Sequence, residues 1–217
     1  MRELLKITAQ KLRRVLKIAI FLPDSYYTNE DNYKAIISFD GELFFNYLNE
    51  DTKKIDIDEL LKGKRYIFIA ISSPANPDWR ISELNPYYNG NNEVIDKELA
   101  YNYSWYLNYE LIPDLKEKYR ISDEIYVLGM TEGANLALYL ASHKLYSGVG
   151  LLNYNFKDTD DRIYENVDSI QYKKIYLAGE ANKLTDDLSN TDNDVYMDKF
   201  INYEDSIDKC IDFFEEE

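Results

Sequence analysis

Residues 129–133 of this 217-residue chain read Gly-Met-Thr-Glu-Gly. The spacing is one residue type away from Gly-x-Ser-x-Gly, the elbow, a sharp strand-to-helix turn that lifts a nucleophilic serine above a sheet. Thr131 stands at the serine's place. A threonine hydroxyl attacks a carbonyl only when a neighbouring base takes its proton. The turn also demands small residues two before and two after the nucleophile, because neighbouring backbone passes close by; Gly129 and Gly133 meet that demand. Thr131 itself is a costlier choice than serine, since such a turn takes a positive φ and a β-branched side chain is strained there.

The elements around the turn must form a sheet with helices packed on it. Apolar, β-branched runs at 14–21, 34–39, 65–72, 124–129, 147–153, 173–178 and 195–201 read as strands. Segments 42–49, 98–119, 132–144, 183–190 and 204–215 read as helices. Several strands are apolar nearly throughout, which is expected when both faces of a parallel sheet are covered. The alternation predicts an α/β fold, a mostly parallel, doubly wound sheet with helices on both faces, in one domain spanning 1–217. Residues 73–97 read as a long connection rich in Pro, Asn and Gly, and loops of that length are commonly functional. The acidic stretches 154–168 and 180–194 read as surface loops, because neither has the spacing of a calcium site.

Further pieces carry a resemblance. "RRVLKIAIFLPDSYY" at 13–27, "AIISFDGELFF" at 35–45, Arg80, Glu83 and Pro86 after the strand "FIAIS", and "YLNYELIPDLKEKYRI" preceding the turn's strand occur in order. Together with Gly129–Gly133 they cover roughly residues 13–155. This set resembles the esterase family of the α/β-hydrolases, the enterochelin-esterase-like and esterase-D-like enzymes. The resemblance implies the α/β-hydrolase fold and a serine nucleophile followed along the chain by an acid and then a histidine. It also implies an oxyanion hole of backbone amides, here from Glu132 and near Asp40-Gly41. Phe39 occupies the place of a histidine in the family's "His-Asp-Gly" strand end.

Against that pattern the chain departs at each catalytic position. Thr131 replaces the serine. Asn182, in "YLAGEANKL", falls where the family carries its acid, and an amide cannot stabilise an imidazolium as a carboxylate does. The C-terminal region "DKFINYEDSIDKCIDFF" has no histidine. The chain's one histidine, His143, lies twelve residues beyond Thr131 on the following helix. At about 1.5 Å rise per residue that is roughly 18 Å away, out of reach for a general base. The expectation is a weak or non-catalytic homologue acting as a binding module. A working hydrolase with a rebuilt site is the alternative, and it requires Asp186, Glu204, Asp205 or Glu132 within hydrogen-bond reach of the Thr131 hydroxyl. A flavodoxin-like binding fold is a third option, without a phosphate-cradling loop to recommend it.

Arg80 and Glu83 read as a structural ion pair or as anchors of the 73–97 segment, with ligand contact as the minor alternative. Tyr87, Tyr88, Tyr101, Tyr103, Trp105 and Tyr106 read chiefly as aromatic packing; at the mouth of a site they could stack on a sugar or an aromatic acyl group. Twenty-five Lys+Arg against 40 Asp+Glu give a net charge of −15. So acidic a surface argues against nucleic acid or an anionic membrane as partner. The one cysteine, Cys210, excludes an internal disulfide and fits a cytoplasmic setting. The charged N-terminal residues form neither a signal-peptide core nor a membrane span. No cofactor or metal motif is present; a small ester, carboxylate or sugar-like molecule is the expected ligand, and assembly with further copies stays open.

Overall fold

The computed structural model describes residues 2–44, 55–154, 156, 159 and 161–216. Its strands are β1 (Arg2–Ala9), β2 (Arg14–Phe21), β3 (Tyr33–Ser38), β4 (Tyr66–Ile71), β5 (Ile121–Met130), β6 (Gly148–Leu152), β7 (Lys174–Ala178) and β8 (Asp194–Asp198). All eight join one sheet in the order β1-β2-β4-β3-β5-β6-β7-β8. The β1–β2 and β2–β4 pairs are antiparallel and every later pair is parallel. This is the α/β-hydrolase fold.

The helices are α1 (Ile57–Leu60), α2 (Pro77–Leu84), α3 (Leu99–Tyr106), α4 (Ile112–Lys118), α5 (Gly133–Ala141), α6 (Arg162–Ser169), α7 (Lys183–Ser189) and α8 (Tyr203–Glu215). They divide between two apolar layers. One face of the sheet, with Ile37, Val127 and Leu151, buries Leu107, Leu136, Leu140, Ile163 and Leu188. The other, with Phe68, Leu128 and Tyr176, buries Ile57, Ile207, Cys210 and Phe214. The central strands β3 and β4 are buried almost residue for residue, which is why their sequences are unbroken apolar runs.

Four of the strands and α-helices lie where the sequence predicts loops or nothing; one is the single-turn α1, and the other three are longer. β1 pairs along its whole length with β2, from Arg2↔Phe21 to Ala9↔Arg14. Leu5, Ile7 and Ala9 turn to the core while Leu4, Lys6 and Thr8 are exposed, as suits an edge strand with one covered face. Inside the 73–97 segment stands α2: Asn76 caps it by accepting from the Trp79 amide at 3.0 Å, and Pro77 fills its first turn. α6 stands at the end of the acidic stretch 154–168, with Ile163 and Val167 on its buried side. Of the expected 42–49 helix, Gly41–Leu43 form a single 3₁₀ turn, and residues 45–49 fall outside those described. The expected 98–119 helix is α3 and α4 joined through a π-helical turn at Leu107–Leu111, just before Pro113. No helix among the described residues is long and apolar enough to cross a membrane.

Candidate functional site

β5 ends at Met130 and α5 begins at Gly133, so the chain must turn within two residues. Thr131 makes the turn with φ of 49°, while its amide donates to the Leu152 carbonyl at 3.1 Å. Holding a threonine in that region costs about 1–2 kcal/mol. The two flanking glycines are not equally constrained. A Cβ on Gly129 would sit 2.3 Å from the Gly133 carbonyl oxygen, a clash with backbone that has nowhere to go. On Gly133 it would meet Asp40 and Phe39 at an ordinary 3.5 Å. Only the first glycine is demanded by close approach.

The Thr131 hydroxyl is not free. It donates to Glu132 Oε2 at 2.8 Å and accepts from Arg80 Nη2 at 3.2 Å. Arg80, delivered by α2, also bonds Asp40 through both terminal nitrogens, the Nη2–Oδ2 contact being 2.8 Å, and reaches Glu132 Oε2 through Nε at 3.2 Å. The guanidinium therefore clamps the ends of β3 and β5 across the turn. Burial alone would lower its pKa, but hydrogen bonding and charge from Asp40 and Glu132 outweigh that and raise it further. It is a permanent cation. Burial pushes the Glu132 carboxyl up, but its own backbone N–H, the Thr131 hydroxyl and Arg80 together hold it below its usual value. A carboxylate so stabilised is a weak base.

The two oxyanion candidates are engaged as well. The Glu132 amide is bonded by the Glu132 carboxylate, and the Asp40 amide donates to Ser73 Oγ at 3.2 Å. Asp40 is another residue at positive φ, 60°, and Gly41 opens the 3₁₀ turn that follows. Asp40, Glu42, Leu43, Arg80, Met130, Thr131 and Tyr203 line a shallow cavity of about 250 Å³. Tyr203 comes from the start of α8, the region where the resemblance called for a histidine. Its hydroxyl accepts from the Asn153 amide at 3.2 Å. Nothing in the sequence singled it out, because its place in the cavity depends on how α8 returns to the sheet.

Asn182 does not meet Thr131. It caps α7, accepting from the amides of Leu184 at 2.9 Å and Thr185 at 3.2 Å, while Thr185 Oγ1 accepts from the Asn182 amide. It lines a larger cavity, about 650 Å³, with Tyr154, Tyr164, Lys183, Lys199 and Phe200. His143 lies beyond the end of α5, 3.4 Å from Ser104 Oγ; burial and then Lys173 lower its pKa. Asp186, Glu204 and Asp205 do not line the Thr131 cavity. Of the four carboxylates named as replacement bases, Glu132 is the one in contact.

Arg80 and Glu83 are not each other's partners, which corrects the expected ion pair. They sit almost one turn apart on α2 and diverge, Arg80 to the turn and Glu83 to Arg14. Glu83 is fully buried and holds Arg14 through two hydrogen bonds of 2.7 and 2.8 Å, anchoring α2 to β2. Tyr87 packs edge-on against Tyr139, and Tyr88 lies under the Lys97 ammonium and bridges to Thr159. Neither lines the Thr131 cavity. Phe39 is buried against the Tyr103 ring at 5.7 Å. No group of three His, Cys, Asp or Glu residues suited to a metal occurs among the described residues.

Comparison with known proteins agrees with this architecture. The model of the family described as "Putative esterase" matches residues 9–153. An IroE-like serine hydrolase from Shewanella oneidensis superposes with a TM-score of 0.72 at 16% identity, covering 99% of this chain and 79% of that one. The BES protein from Bacillus cereus gives 0.72 at 14% identity, with coverage of 98% and 95%. The enterobactin esterase FES from Shigella flexneri gives 0.73 at 14% identity; 99% of this chain matches 57% of FES. At these identities the structural likeness speaks for the fold alone. Among curated proteins no match is found. The family match spans well over half of the chain and includes the Gly129–Gly133 turn, so this protein belongs to the esterase family of the α/β-hydrolases.

Proposed function

We propose that this chain is a non-catalytic or severely weakened member of the family, serving as a binding module. The observation that carries the reading is the Arg80 clamp: a guanidinium bonds the Thr131 hydroxyl where an esterase needs a base. It cannot accept a proton. The carboxylate beside it, Glu132, has its affinity for protons reduced by three donors at once. Asn182 is committed to capping α7, and the chain has one histidine, held at the far end of α5. Substrate oxygen would also have to displace the Glu132 carboxylate from the amide it needs.

A second reading has one observation in its favour. Thr131 donates to Glu132 Oε2 at 2.8 Å, the geometry of a nucleophile with a carboxylate base. It would make the protein a slow carboxylic-ester hydrolase. Hydrolysis of p-nitrophenyl acetate and butyrate separates the two. The expected result is a rate for the wild type no higher than for Thr131→Ala. Turnover lost in both Thr131→Ala and Glu132→Gln would overturn the first reading and establish the second. Small esters, carboxylates and sugar-like molecules remain the ligand classes to screen; the −15 charge argues against nucleic acid and anionic membranes.

A further inference from the structure

The larger cavity does not depend on the state of Thr131. It opens at the C-terminal ends of β6, β7 and β8, where open α/β sheets characteristically bind ligands. Its volume, about 650 Å³, falls within the size range of small-molecule sites. One wall is fixed in advance. Tyr154 lies so close over Gly179 that a Cβ there would come within 2.7 Å of the ring, and its hydroxyl donates to the Glu180 carbonyl at 2.8 Å. Phe156 stacks on the same ring at 5.1 Å and 18°. A second wall carries Tyr164 with the Lys183 ammonium 4.2 Å from its ring centre. Phe200 and Lys199 complete it from beyond β8. In a chain with 40 acidic residues and 25 basic ones, two lysines at one aromatic cavity run against the prevailing charge.

We propose that this cavity binds an acidic saccharide, a uronate-bearing mono- or disaccharide. Aromatic walls suit the apolar C–H faces of a pyranose, and lysine ammonium groups suit its carboxylate. The lining mixes these groups with the amides of Asn153 and Asn182 and the Thr159 hydroxyl, which matches a polyhydroxylated ring better than a purely apolar one, and sets two lysines against the one carboxylate, Glu180. The volume exceeds what a single aryl ring fills. The inference stands whether or not the elbow hydrolyses esters.

Calorimetric titration of the full chain with digalacturonate, neutral galactobiose and 2-naphthoate tests it. Digalacturonate should bind saturably, with galactobiose about two- to fivefold weaker, the value of one exposed ion pair. Lys199→Gln should erase that preference, and Phe200→Ala should weaken both sugars about tenfold. Amide shift changes should concentrate in the β7–α7 and β8–α8 connections. Lack of saturable digalacturonate binding, equal affinity for galactobiose, or tighter binding of 2-naphthoate would each overturn the assignment to an acidic saccharide. Binding lost in Arg80→Ala but kept in Lys199→Gln would move the ligand to the elbow and overturn the site.

Discussion

Two cavities open along the C-terminal edge of one sheet, and they have opposite characters. At the elbow, about 250 Å³ is lined by groups that satisfy one another: Arg80 with Asp40 and Glu132, Glu132 with Thr131 and its own amide. Beyond β7, about 650 Å³ is lined by Tyr154, Phe156, Tyr164 and Phe200 together with Lys183, Lys199 and Glu180. A buried polar group left unpaired is costly, so a network that closes on itself leaves little for a ligand to gain. The elbow's polar groups are taken up by one another, whereas the second cavity is lined chiefly by aromatic rings and two lysines.

That contrast can be broken most severely at the elbow's supports. Gly129→Ala forces a Cβ into the Gly133 carbonyl and should destabilise the fold by more than about 4 kcal/mol, or prevent soluble expression. Glu83→Gln leaves Arg14 with a buried, uncompensated charge and should cost about 3–5 kcal/mol in urea unfolding. Were both variants close to wild type, the elbow would be far more plastic than its packing implies. Arg80→Ala strands the Asp40 carboxylate, only 9% exposed, and should cost about 1–3 kcal/mol. It should not create esterase activity, since the hydroxyl keeps its bond to Glu132 and no imidazole is brought to it.

At the second cavity, Asn182→Ala should cost about 1 kcal/mol of stability through loss of the α7 cap, while Asn182→Asp keeps the cap and restores no hydrolysis. A gain of turnover in Asn182→Asp would join the two cavities into one active centre and dissolve the contrast. The smallest effect is electrostatic. Because the folded pKa of Glu132 is depressed, its contribution is present above the ordinary value of 4.5 and is lost as pH falls through the lower folded value. Unfolding curves taken on either side of pH 4.5 should therefore show a shallower acid loss in Glu132→Gln than in the wild type.

How much was legible beforehand follows the range of the interactions involved. The strand at 124–129 and the helix after it follow from a local apolar run and a local turn, and they stand where the pattern placed them. α2 carried a local signal too, the Asn76 cap and Pro77, but the richness in Pro, Asn and Gly masked it as loop. β1 is stabilised by pairing with β2 rather than by its own apolar content, so its mixed composition concealed it. At the site, the types of Thr131 and Asn182 and the missing C-terminal histidine were readable one residue at a time. The partners of Arg80 were not: Asp40 and Glu132 lie 40 and 52 positions away along the chain.

The sequence by itself determined the family, the turn at Gly129–Gly133 and the residue types at 131 and 182, because these rest on local spacing and residue identity. The tertiary structure decided what surrounds them. It brought α2 across the elbow so that Arg80 meets Thr131, parted Glu83 from Arg80, and returned α8 so that Tyr203 enters the cavity. Those contacts depend on strands brought side by side and helices laid over them, and a charge finds its partner there by proximity in space rather than along the chain.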